Sequence, residues 1–166
     1  MSYPGNAFWM GLVAAGLCGA PALGDGLRDW PSVVGTTEVY QQDQVSGSAL
    51  DGMDPVSYFL PEGPQPGRPD LELIWSGVAW RFASRANRAA FERDPISYAP
   101  RIGGYDAEAA SRGRIVDADP AIFFVAGKRL YLFRNDARRA RFLAEEGVAA
   151  RGEERWIGLK AGLVRP

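Results

Sequence analysis

Histidine is absent from this 166-residue sequence, and cysteine occurs once, at Cys18. These gaps exclude Ser/His/Asp and Cys/His catalytic sets, imidazole general bases, histidine-ligated haem and zinc sites built on His or Cys pairs. Lysine is scarce as well: among the 19 basic residues only Lys128 and Lys160 are not arginine. An excess of either charge is also missing, because 19 basic residues face 20 acidic ones for a formal charge of −1. A phosphate-reading surface needs a basic excess or stripe, so nucleic acid is not an expected partner. What remains for binding or catalysis is carboxylates, arginines, tyrosines, tryptophans and backbone. At 46% apolar and 23% charged the composition is that of an ordinary globular domain, long enough to bury a core without staples.

Charge is missing altogether from residues 1–24, and the first acid is Asp25. Ala7 to Cys18 is apolar but shorter than the roughly 20 residues a membrane-crossing helix takes. With Ala20-Pro21-Ala22-Leu23-Gly24 behind it, this run fits a secretory signal, cut before Asp25. Leu17 is bulky where a lipoprotein signal has Gly or Ala, which argues against lipidation of Cys18. Removal of residues 1–24 would leave a mature chain without cysteine, held together by packing alone, with no membrane span and a periplasmic or secreted location.

Residues 25–49 are polar and weakly periodic, with a short β-leaning piece at Thr36 to Gln41, and form an N-terminal lead. Val56 to Phe59 is β-prone, and a loop follows where Pro61, Gly63, Pro64, Pro66, Gly67 and Pro69 crowd together. Leu71, Leu73 and Trp75 alternate up to a Ser76-Gly77 turn, and Val78, Trp80 and Phe82 alternate after it, which predicts a hairpin. Ser84 caps a helix from Arg85 to Arg93, stopped by Asp94-Pro95. Gly103-Gly104 leads to a small-residue helix from Tyr105 to Arg112. A second hairpin runs over Ala121 to Val125 and Arg129 to Phe133, Asn135 caps a helix over Asp136 to Glu145, and a less periodic piece spans Val148 to Lys160. Two hairpins alternating with helices predict a single α+β domain with a small antiparallel sheet packed with short helices. Asp-Pro recurs at 54, 94 and 119, but unevenly, and no internal repeat is read from it.

The succession of GMDPVSYF, WSGVAWRFASRANRAAFERDPISYAPRIGGYDAEAASRG and KRLYLF resembles the small YHS-domain proteins exported by proteobacteria. The resemblance covers about residues 50–160, with 161–166 as a tail. It implies a module whose distant relatives hold metal through cysteines after Asp-Pro-Val, within Phe-Cys-Ser and a few residues beyond. Here those positions read Ser57, Ala83 and Asn87. A further cysteine position of exported relatives, after Gly-Gly-Tyr, reads Asp106. The soft-metal ligands that the resemblance implies are therefore absent, and no cofactor is expected.

Candidate sites follow from what is left. Asp106 with Glu108 and Asp54 could bind a hard cation or work as an acid/base pair; otherwise Asp106 caps its helix and Glu108 pairs with Arg112 one turn on. The Asp-Pro aspartates most simply set turns and helix starts. Gly103-Gly104 could offer N–H groups to an anion or only make a tight turn. Tyr58, Tyr98 and Tyr105 could line a cleft for a small polar ligand, or some could be core. Arg134, Arg138 and Arg141 share a helix face near Asp136, Glu145 and Glu146, and read as a solvated face. The leading expectation is a non-catalytic exported YHS-family domain that binds a small ligand or a periplasmic protein through Asp54, Tyr58, Tyr98, Gly104, Tyr105 and Asp106. Metal handling by Asp54, Asp106 and Glu108, and a carboxylate-pair enzyme, are the alternatives.

Overall fold

The computed structural model describes residues 39–163. The expected signal over 1–24, Cys18, the first part of the expected N-terminal lead and the last residues of the tail lie outside the described residues. The elements run in the order β1 (Arg68–Trp75), β2 (Val78–Phe82), α1 (Arg85–Arg93), α2 (Pro95–Tyr98), α3 (Ala107–Ser111), β3 (Asp119–Ala126), β4 (Arg129–Phe133), α4 (Asp136–Ala144) and α5 (Val148–Ala161). Short 3₁₀ turns at Leu50–Gly52, Ser57–Phe59 and Arg101–Gly104 join them. The class is α+β, and the two hairpins form two separate two-stranded antiparallel sheets instead of one joined sheet.

Both hairpins close through two residues in left-handed conformation, Ser76 (φ 52) with Gly77 (φ 77) and Gly127 (φ 53) with Lys128 (φ 65). That is the turn whose twist matches the twist of the strands it joins. Ser84 and Asn135 each accept a hydrogen bond from the third residue onward, Asn87 N at 3.1 Å and Arg138 N at 3.0 Å, so both helix starts are capped as their sequences predict. Val56 to Phe59 is not a strand. Asp54 accepts from Val56 N at 2.8 Å and thereby turns the chain into the 3₁₀ segment Ser57–Phe59. The piece after Gly147 is a full helix, its weak periodicity reflecting the exposed positions that surround buried Val148, Gly152, Trp156 and Lys160.

The β3–β4 hairpin separates two cores. Leu130 and Leu132, with Phe123 and Val125, face a cluster containing Tyr58, Trp80, Phe82 and Phe91. Tyr131 and Phe133, with Ile122 and Phe124, face the cluster of Ile102, Phe142, Val148 and Trp156. Period-2 alternation thus makes both faces of one hairpin apolar. The lead contributes to the first core, since Tyr40 and Ala49 are buried in it. Position 49 is therefore no edge of the folded unit. Gly103 sits so close beneath the chain that a Cβ there would run into the Val39 carbonyl and the Trp156 ring. This close approach is what the glycine serves.

The described residues contain an internal repeat, contrary to the reading of the sequence. From Arg68 to Asp119, from Val78 to Arg129 and from Arg85 to Asp136 the offset is the same, 51 residues. Each unit is an eight-residue strand, a five-residue strand and a nine-residue helix. Both ladders also break register at the same step, between Arg68 and Glu72 and between Asp119 and Phe123. Phe82 meets Phe91 at 5.3 Å between ring centres, and Phe133 meets Phe142 at 5.0 Å, both with steeply inclined rings. Trp80 and Tyr131 meet the same phenylalanines at 5.0 and 5.3 Å. Phe82, Ala86, Arg88, Ala89 and Phe91 recur as Phe133, Ala137, Arg139, Ala140 and Phe142.

Candidate functional site

Asp54 and Asp106 hold the corresponding corners of the two units, Ala83 and Arg134, and both are fully buried. Asp54 Oδ1 accepts from Val56 N, while Oδ2 accepts from Ala83 N at 2.8 Å and Asn87 Nδ2 at 2.6 Å. Asp106 Oδ1 accepts from Ala109 N at 2.6 Å and Oδ2 from Arg134 N at 2.6 Å. Each carboxylate therefore pins the corner where its hairpin passes into the following helix. Acceptors committed to backbone N–H groups in this way have little left for a substrate.

Ser57, three residues on, and Ala83 and Asn87, 29 and 33 residues on, converge on Asp54. Ser57 Oγ donates to the Asp54 carbonyl at 2.6 Å and accepts from Gln65 N at 2.8 Å. Each of these hydrogen-bond partners of Asp54 is an uncharged group.

Glu108 is only 2% exposed and takes three guanidinium groups: Arg112 at 2.6 Å, Arg138 at 2.8 Å and Arg141 at 3.2 Å. Arg138 also reaches Asp106 at 3.6 Å. Burial would push the Glu108 carboxyl up, but the bonds from Arg112 and Arg141 hold it below the usual carboxylate range. Arg138 and Arg141 are thus ion-pair partners of a buried acid and not members of a merely solvated face. Their i,i+3 spacing was visible in the sequence; the acid they face comes from another helix. Asp54 does not join this group. Among the described residues no set of three or more Asp, Glu, Cys or His is placed to hold a metal ion.

The proposed tyrosines separate. Tyr58 and Tyr98 line one open cleft of about 700 Å³ together with Phe59, Leu60, Asp94, Val125 and Lys128. Phe59 and Tyr98 meet edge to face at 5.6 Å, and Tyr58 meets Phe123 in the same way at 5.1 Å. The Tyr58 hydroxyl donates to the Pro120 carbonyl at 2.9 Å, and burial pushes its ionisation well above the ordinary tyrosine value. Tyr105 lies elsewhere, half-buried against Trp156 at 5.6 Å. Gly104 borders a recess of about 10 Å³, no larger than a single water needs.

Sequence reasoning missed a second cleft of about 490 Å³ between α2 and α5, bordered by Pro100, Arg101, Glu153 and Trp156. Glu153 there accepts from Arg101 at 2.9 Å and from the Tyr131 hydroxyl at 2.6 Å. Burial raises the Glu153 carboxyl and these bonds more than reverse the effect. The unpatterned stretch after Gly147 gave no hint of this hub. Among the described residues no helix is long and apolar enough to cross a membrane. In comparisons with known proteins no family model, no curated protein and no solved structure matches the chain.

Proposed function

We propose that this chain is an exported, non-catalytic YHS-family domain that binds a small organic ligand in the cleft between Tyr58 and Tyr98. The observation that carries the ligand reading is the cleft itself, about 700 Å³ with an aromatic wall and with Asp94 and Lys128 at its polar margins. A concave site that combines aromatic walls with a few placed polar groups suits a small ligand. The non-catalytic reading is supported by the absence of histidine and by the commitment of Asp54 and Asp106 to backbone donors. Family membership rests on the sequence landmarks, and it is supported by the meeting of Ser57, Ala83 and Asn87 around Asp54. Export rests on the uncharged residues 1–24.

The test is native mass spectrometry with elemental analysis on protein recovered from the periplasm of an expressing cell. The expected result is a bound organic mass, lost in the Tyr98→Ala variant, without a stoichiometric metal. An empty wild-type protein, or a bound mass that Tyr98→Ala leaves in place, would refute the cleft. A stoichiometric metal would overturn the non-metal reading, and a precursor retained in the cytoplasm would overturn export.

A further inference from the structure

The two hairpins have the same architecture but differently protected edges. Ser48 bridges Ala79 beside β2, and Asp106 bridges Leu132 beside β4. The opposite edges, of β1 and β3, pair with no other described residue. An open edge is a template for a further strand unless charge or shape blunts it.

On β1 the blunting is present: Arg68, Asp70 and Glu72 stand along it, with Glu72 held by Arg81 at 3.0 Å. The corresponding positions of β3 are Asp119, Ala121 and Phe123, so charge survives only at the first. From Ala121 to Ala126 the strand is uncharged, rich in β-favouring residues, and half-buried from Ile122 onward.

The direction of its free backbone groups follows from the turn. A two-residue turn closes on a hydrogen-bonded pair, here Ala126 with Arg129, and pairs alternate along an antiparallel ladder. Phe124 therefore bonds inward to Tyr131, and the N–H and C=O groups of Phe123 and Val125 point outward. Among the described residues nothing bonds them.

We propose that the occupant of this edge is β3 of a second copy of the chain, paired antiparallel about Phe124. Charge complementarity selects this occupant. β3 carries an acid at its start, Asp119, and a cation just past its end, Lys128. Antiparallel pairing about Phe124 sets Phe123 opposite the second copy's Val125, using all four outward groups, and directs the Asp119 end of each β3 toward the second copy's β3–β4 turn, which carries Lys128. A parallel pairing would instead place Asp119 beside Asp119. The two-fold makes the contact close on itself as a dimer, with a four-stranded sheet running β4-β3-β3-β4. A five-residue pairing lies at the small end of interfaces, so the dimer is weak, forming at roughly 10–100 µM.

Sedimentation velocity on the full chain from about 1 to 500 µM tests this, with hydrogen exchange on the same samples. A monomer–dimer equilibrium is expected, and with rising concentration exchange slows at the Phe123 and Val125 amides. Asp119→Lys and Lys128→Asp should each weaken the dimer about tenfold, and the double variant Asp119→Lys/Lys128→Asp should restore it. Asp119 also accepts from Ala121 N, so Lys128→Asp, at an exposed turn, provides the arm that leaves the strand untouched. A monomer throughout, a dimer indifferent to Lys128→Asp, a double variant that regains nothing while folded, or protection that spares Phe123 and Val125 would each overturn the proposal.

Discussion

At the residue scale the protein spends its buried acids on holding chain corners. Asp54 and Asp106 hold the same corner in two structural units, and each receives an N–H from the residue that follows a buried phenylalanine, Ala83 after Phe82 and Arg134 after Phe133. Truncating either side chain leaves those donors unpaired in a closed site, at about 1–3 kcal/mol for each buried group left unpaired. Asp54→Ala and Asp106→Ala are therefore both expected to lower unfolding free energy by at least that much in urea titration, at similar slope. Glu108 is a third buried acid, and its carboxyl is held by three arginines instead of by backbone N–H groups. Glu108→Gln should destabilise the protein and leave Arg138 facing Asp106 alone, detectable as a lower urea midpoint.

At the element scale the repeat makes a comparative prediction. Phe91 and Phe142 sit on corresponding helices and each meets the aromatic pair of its own hairpin. Phe91→Ala and Phe142→Ala should each cost about 3–5 kcal/mol, since the surrounding strands cannot collapse into the space. The turns permit the opposite change. Ser76 is held at φ 52, a conformation that costs most side chains about 1–2 kcal/mol and asparagine less. Ser76→Asn should raise the melting temperature. Much of this scale was legible in the sequence: the alternation of Val78, Trp80 and Phe82 and the caps Ser84 and Asn135 predict the first hairpin and both helix starts. The repeat was written there too, in the spacing of Phe, Ala, Arg, Ala and Phe. It was hidden because the first strands have diverged, RPDLELIW against DPAIFFVA, while the common pattern is confined to the end of the second strand and the helix.

At the scale of the whole molecule, charge and burial fix how stability responds to pH. Glu108 and Glu153 ionise more readily in the folded protein than in the unfolded chain, where the ordinary glutamate value is 4.5. Their contribution is complete above that value and is lost as pH falls through the lower folded values. Tyr58 behaves in the opposite sense: its folded value lies above the ordinary 10.0, so its contribution is complete below pH 10.0 and declines as pH rises beyond it. A melting-temperature profile should thus show a plateau bounded by an acid limb and an alkaline limb. Glu153→Gln should flatten the acid limb, and Tyr58→Phe the alkaline one.

Composition and local pattern alone determined that this protein lacks imidazole and thiol chemistry outside Cys18, that it alternates hairpins with capped helices, and that its first 24 residues differ from the rest. These are properties of residue type and of spacing within one element, which chain order carries directly. Tertiary structure alone decided which side chains meet across elements, whereas the Glu108–Arg112 pair one turn apart and the Asp106 cap were legible in the sequence. It separated Tyr58 and Tyr98 from Tyr105, gathered Ser57, Ala83 and Asn87 around Asp54, and turned Arg138 and Arg141 toward Glu108. The physical reason is that these contacts depend on how hairpins and helices pack across the two cores, and packing couples residues whose separation in the chain has no period to read.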